Sequence, residues 1–237
     1  MIYFHLPYKL SLSRALQSFM LANQAVLLQR GLLYPSTCLL GAAHDVLGKA
    51  ESVSELDEVK ILIQRCVEFK ENRPQGKILL SSPALFSFSF ERMYDLISGF
   101  SQISDFHFIV TLCKQETYLE HLWKAMEVKP RIHITRWMED RVENLAHLHY
   151  DRAVAKLESL VNQDRIEVIN VSNRDSHQLI KMFLEKFHVF NRTAMDFGEP
   201  PVSFETTIHL PKTLVSLLGP GNRYLSEKYL KDNPLTF

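Results

Sequence analysis

Cysteine is scarce in this chain of 237 residues, with only Cys38, Cys66 and Cys113, widely spaced and odd in number. No Cys-x-x-Cys pair occurs, which argues against a disulfide framework and a thiolate zinc site and makes a reducing cytosol the simpler expectation. An excess of one charge is also missing. Lys plus Arg and Asp plus Glu number 27 each, so no global field recruits nucleic acid or acidic lipid. Glycine is sparse as well, with none between Met1 and Arg30. A Walker A loop, whose backbone must wrap phosphates closely, therefore has no place there. No apolar run reaches the length of a membrane span. The opening Met1-Ile2-Tyr3-Phe4-His5-Leu6 is too short for a secretory signal and lacks a basic flank. His147 and His149 stand without a carboxylate pattern, so no metal is expected.

What remains is an ordinary globular composition, 46% hydrophobic. Apolar runs predict strands over residues 2–6, 77–82, 106–112 and 166–171, with a short extended piece at Leu32-Leu33-Tyr34-Pro35. Helical periodicity is expected over 12–29, 53–70, 90–100, 116–126, 150–161, 176–187 and 224–230. Strands separated by helices imply right-handed crossovers and a parallel sheet, hence a three-layer α/β/α architecture. No repeat, low-complexity tract or linker is evident, so one domain over residues 1–237 is expected.

Ligands of parallel α/β sheets bind beyond the carboxyl ends of the strands. The first such segment reads His5-Leu6-Pro7-Tyr8-Lys9-Leu10-Ser11-Leu12-Ser13-Arg14. A lysine and two serines opening a helix can hold a phosphate or sulfate with the help of backbone N–H groups. Ser11 or Ser13 acting as a simple helix cap is the alternative. The chain also carries Leu16-Gln17, Asn23, Gly31-Leu32-Leu33-Tyr34-Pro35 and Ala43-His44-Asp45-Val46-Leu47. Further on come Ile78-Leu79-Leu80-Ser81-Ser82, Thr111 to Trp123 with Cys113, Tyr118-Leu119 and His121, and Asn222-Arg223-Tyr224-Leu225 with Tyr229. In this order the segments resemble the bacterial and carbohydrate sulfotransferases, a P-loop NTPase-like fold, across nearly the whole chain.

That resemblance implies binding of 3′-phosphoadenosine 5′-phosphosulfate (PAPS) and transfer of its sulfuryl group to a hydroxyl of a carbohydrate or another small acceptor. It implies Lys9, Ser11 and Ser13 around the 5′-phosphosulfate, with Lys9 as the cation on the leaving phosphate. Cys113 and His121 stand where an Arg and a Ser of the family hold the 3′-phosphate. His44 is the expected base for the acceptor proton, because relatives place a His or Glu in that segment. The chain departs from the family pattern at Pro7 and Leu12, which replace glycines, and at Arg14, which replaces a Thr. Cys113 and His121 are further departures, and Pro83 stands where a Glu is frequent. Loss of both 3′-phosphate ligands is expected to lower PAPS affinity about a thousandfold. A non-catalytic relative that keeps the fold as a binding or assembly module is therefore the alternative function. A P-loop kinase is disfavoured, since neither Gly-Lys-(Ser/Thr) nor a magnesium-binding Asp after a strand is present.

Overall fold

Five short β-forming runs assemble into one sheet. They are β1 (Ile2–Pro7), β2 (Leu32–Leu33), β3 (Lys77–Ser81), β4 (Phe106–Leu112) and β5 (Ile166–Asn170). In the computed structural model they lie in the order β2-β3-β1-β4-β5, and every pairing is parallel. The structure describes residues 1–7, 11–49, 53–87, 90–125, 134–141, 148–190, 195, 197 and 209–235. β1 is central, with Phe4 opposite both Leu80 and Phe108. Its near-continuous burial matches a strand covered on both faces.

Alternation along β1 assigns the two helical layers. Phe4 points to the face that meets Phe100 of α5 (Phe90–Ser101), ring centroids 5.4 Å apart. Tyr3 and His5 point the other way, toward Phe187 and toward Phe183 of α9 (Ser176–Lys186), at 4.9 and 4.8 Å. α1 (Ser11–Ala22) packs beside α9 on that second face. The result is a three-layer α/β/α arrangement around one parallel sheet. Full burial of each aromatic or aliphatic side chain in these interfaces contributes about 1.5–3 kcal/mol. Among the described residues, no helix is long and apolar enough to cross a membrane.

Two of the expected helices differ in extent from the periodicity reading. The expected single helix over 12–29 is divided into α1 and α2 (Gln24–Gln29) at Asn23. Asn23 departs from helical backbone angles, with φ −103° and ψ 16°, and its N–H and side-chain amide both donate to the Phe19 carbonyl at 3.0 Å. Between β2 and β3 the chain then forms α3 (Val46–Lys49) and α4 (Val53–Asn72). After β4 come α6 (Gln115–Ala125), α7 (Ile134–Arg141) and α8 (Tyr150–Glu158). The last helix, α10 (Lys212–Lys228), is far longer than the expected 224–230 and runs through Gly219-Pro220-Gly221. Pro220 removes one N–H from the ladder, but the carbonyl it orphans belongs to solvent-exposed Ser216 and can turn to water. Burial of Leu214, Leu218, Asn222 and Leu225, together with packing on α8, outweighs that loss. The pair formed by the Asn222 and Gln115 side-chain amides, at 2.7 and 3.0 Å, ties the helix to the start of α6.

Candidate functional site

A crevice of about 440 Å³ opens at the carboxyl end of the central strand. One wall is the start of α1, presenting Ser13, Arg14, Gln17 and Ser18, and the other is the turn Leu40-Gly41-Ala42-Ala43 with Asp45. Pro7, at the end of β1, and Pro83, just after β3, also line it. The connection from β1 leaves through α1 toward the β2 side, whereas that from β3 leaves through α5 toward β4. Helices on opposite faces part here, and this is where open parallel sheets hold ligands. The opposing turn is shaped by a bridge between Leu40 and Ala43 and by Gly41 at φ +68°, a conformation that favours glycine.

Below the crevice the strand ends share a buried polar network. His5 is fully buried, its Nδ1 2.9 Å from Ser81 Oγ and its Nε2 3.0 Å from Thr111 Oγ1. Gln17 Nε2 donates to the same Ser81 oxygen at 2.9 Å, joining α1 to β3. Burial disfavours the imidazolium and brings the His5 pKa down to about 3. His5 is thus a neutral structural group at the floor of the crevice.

His44 does not take the part of a base open to an acceptor, and that expectation is corrected. It is 0% exposed, and both ring nitrogens are engaged. Nδ1 accepts from the Ser81 N–H at 3.1 Å, which fixes the neutral tautomer with Nε2 donating to the Pro35 carbonyl at 2.9 Å. Tyr34 packs edge-on against the ring at 4.6 Å. Burial holds the His44 pKa down at about 4. The imidazole pins the turn to β3, and the neighbouring Asp45 lines the crevice instead.

Cys113 is corrected in the same way. It is 1% exposed, with Sγ 3.9 Å from the Tyr150 hydroxyl, and burial pushes its thiol up to about 12. A sealed neutral thiol offers a nucleotide phosphate nothing. Ser13 is buried and lines the crevice. Ser11 opens α1 and His121 lies on α6, but their side chains fall outside what the structure describes. Lys9 also lies outside the described residues.

Sequence reasoning missed Gln17, Asp45 and Ser82 as site residues. Ser82, fully buried, accepts from the Ala84 N–H at 3.0 Å and donates to Asp45 Oδ1 at 2.6 Å. The available signal was position alone, since Asp45 directly follows His44 and Ser82 directly follows β3.

A second cavity of about 500 Å³ lies at the opposite, amino edge of the sheet and carries Arg30, Arg73, Lys77 and His188. Two of these side chains serve the helix ends that converge there. Arg73 donates to the Leu28 and Gln29 carbonyls closing α2, and Lys77 Nζ donates to the Phe187 carbonyl after α9 at 2.9 Å. These contacts neutralise carboxyl-terminal helix dipoles, so the carboxyl-edge crevice is the better ligand site. Comparison of the chain with protein-family models, curated proteins and solved structures yields no match.

Proposed function

We propose that the chain is a divergent sulfotransferase-like protein with a P-loop-like α/β fold. In this reading the carboxyl-edge crevice receives the phosphosulfate end of PAPS and presents it to a hydroxyl of a carbohydrate or another small acceptor. The observation that carries it is the crevice itself, which opens on Ser13 and Arg14 in the first turn of α1. That is the segment for which the resemblance implies phosphosulfate contacts. A helix amino terminus, a buried serine and a guanidinium together suit a tetrahedral anion. The volume lies within the range of small-ligand sites. The fit is partial, because Cys113 is sealed and gives the 3′-phosphate no grip.

A second reading is favoured by the burial of His44 and Cys113. The chain then keeps the fold and the anion crevice as a binding module and transfers no sulfuryl group. Calorimetric titration with 3′-phosphoadenosine 5′-phosphate (PAP), the product nucleotide, tests what the two readings share. Micromolar binding is expected, weakened roughly 10- to 100-fold in Arg14→Ala and in Lys9→Ala, as loss of one charge-assisted contact predicts. Absence of binding at millimolar PAP overturns the PAPS-dependent reading. Turnover of PAPS by a protein that binds PAP then separates enzyme from binding module.

A further inference from the structure

The geometry points to Asp45 as the group that takes the acceptor proton in the crevice, with Ser82 and His44 as its positioning residues. This inference rests on the reading proposed above. Among the described residues lining the crevice, Asp45 is the sole carboxylate and Arg14 the sole cation. They belong to opposite walls, one on the α1 side and the other on the turn that faces it. An anionic donor and a neutral hydroxyl need that polarity: a cation where negative charge leaves and a carboxylate where a proton leaves.

The carboxylate is held in place from below. Ser82 Oγ accepts from the Ala84 N–H, so its own proton is committed to Asp45 Oδ1. The residue before Asp45 is fastened to β3 twice, by the His44 N–H on the Ser81 carbonyl at 2.8 Å and by the Ser81 N–H on the imidazole. A third bond joins the imidazole to the Pro35 carbonyl. Asp45 therefore sits on a rigid mount with Oδ2 as the oxygen that Ser82 does not occupy. In the transfer, the acceptor oxygen bonds to sulfur while the bond from sulfur to the donor's phosphate oxygen breaks. The electron pair of that bond leaves with PAP, and the acceptor proton passes to Asp45 Oδ2.

The test separates this assignment from the reading beneath it. PAP titration of the unaltered protein comes first, since no binding there overturns both together. PAPS turnover is then followed as PAP release, with a mixture of glucose, galactose and N-acetylglucosamine as the hydroxyl probe. With Asp45→Asn, turnover falls at least ~100-fold, in line with loss of a general base, while PAP binds as tightly or tighter because a carboxylate has left the anion site. Ser82→Ala gives a smaller fall in kcat with unchanged PAP affinity. Thermal unfolding checks that both variants fold, and Asp45→Glu, which keeps the carboxylate, restores part of the turnover if the asparagine variant does not fold. PAP binding without turnover in the unaltered protein, or turnover in Asp45→Asn within threefold of it, overturns the assignment of Asp45.

Discussion

Ser81 shows how much one hydroxyl can hold at the floor of a parallel sheet. Its oxygen meets His5 from β1 and Gln17 from α1, while its backbone serves His44 in both directions. Ser81→Ala strands two buried polar side chains, so a loss of roughly 1–3 kcal/mol is expected in denaturant unfolding. A loss under ~0.5 kcal/mol would show that the network is dispensable. The two buried histidines add a pH dependence whose sign follows from their depressed values. From an ordinary 6.5, His5 falls to about 3 and His44 to about 4. Between 6.5 and those values the unfolded chain binds protons that the folded chain refuses. Their contribution is thus complete above pH 6.5 and is lost as pH drops toward 4, by up to ~1.4 kcal/mol per pH unit for each histidine. Unfolding titrations at pH 7, 6 and 5 check this, and in His44→Gln the slope should shrink by about one proton.

At the scale of elements, the entry to β3 is tightly constrained. A Cβ on Gly76 would lie 2.6 Å from the Phe69 ring and 2.9 Å from the Arg73 carbonyl. Gly76→Ala is therefore expected to cost roughly 1–3 kcal/mol through overpacking between α4 and β3, read as a lowered melting temperature. The same elements show which parts of the fold the sequence makes legible. β4 matches residues 106–112 because its run is apolar but for His107 and Thr111, as suits a strand covered on both faces. α9 starts as expected, and its capping box between Asp175 and Gln178 gives the physical reason. α10 was not legible over most of its length. Gly219-Pro220-Gly221 is a strong breaker locally, and only tertiary burial of Leu214 and Leu218 overrides it. Asn23 misleads in the opposite direction, since its non-helical backbone angles divide an otherwise continuous periodicity.

For the whole molecule, the strand ends and α1 were legible as the lining of a crevice, whereas the burial of single side chains was not. Strand ends and α1 were anticipated, but burial is a property of the assembled layers. Nothing local to His44 or Cys113 announces that both are sealed. The same enclosure governs all three thiols, since Cys38, Cys66 and Cys113 are buried and free and each is pushed up to about 12. An aromatic disulfide reagent should leave them unreacted in the native protein and titrate three per chain in denaturant; rapid native reaction of any one contradicts this enclosure. The position of β1 in the sheet has a consequence in time. Its neighbours β3 and β4 begin at Lys77 and Phe106, so a ribosome must add scores of residues before either flank of β1 can be covered. β1, which precedes the other four strands of the sheet in the chain, waits for both of its partners. Folding is then governed by long-range closure and is slow for a chain of this size, and during that interval an apolar strand with two open edges is what chaperones or other nascent copies encounter.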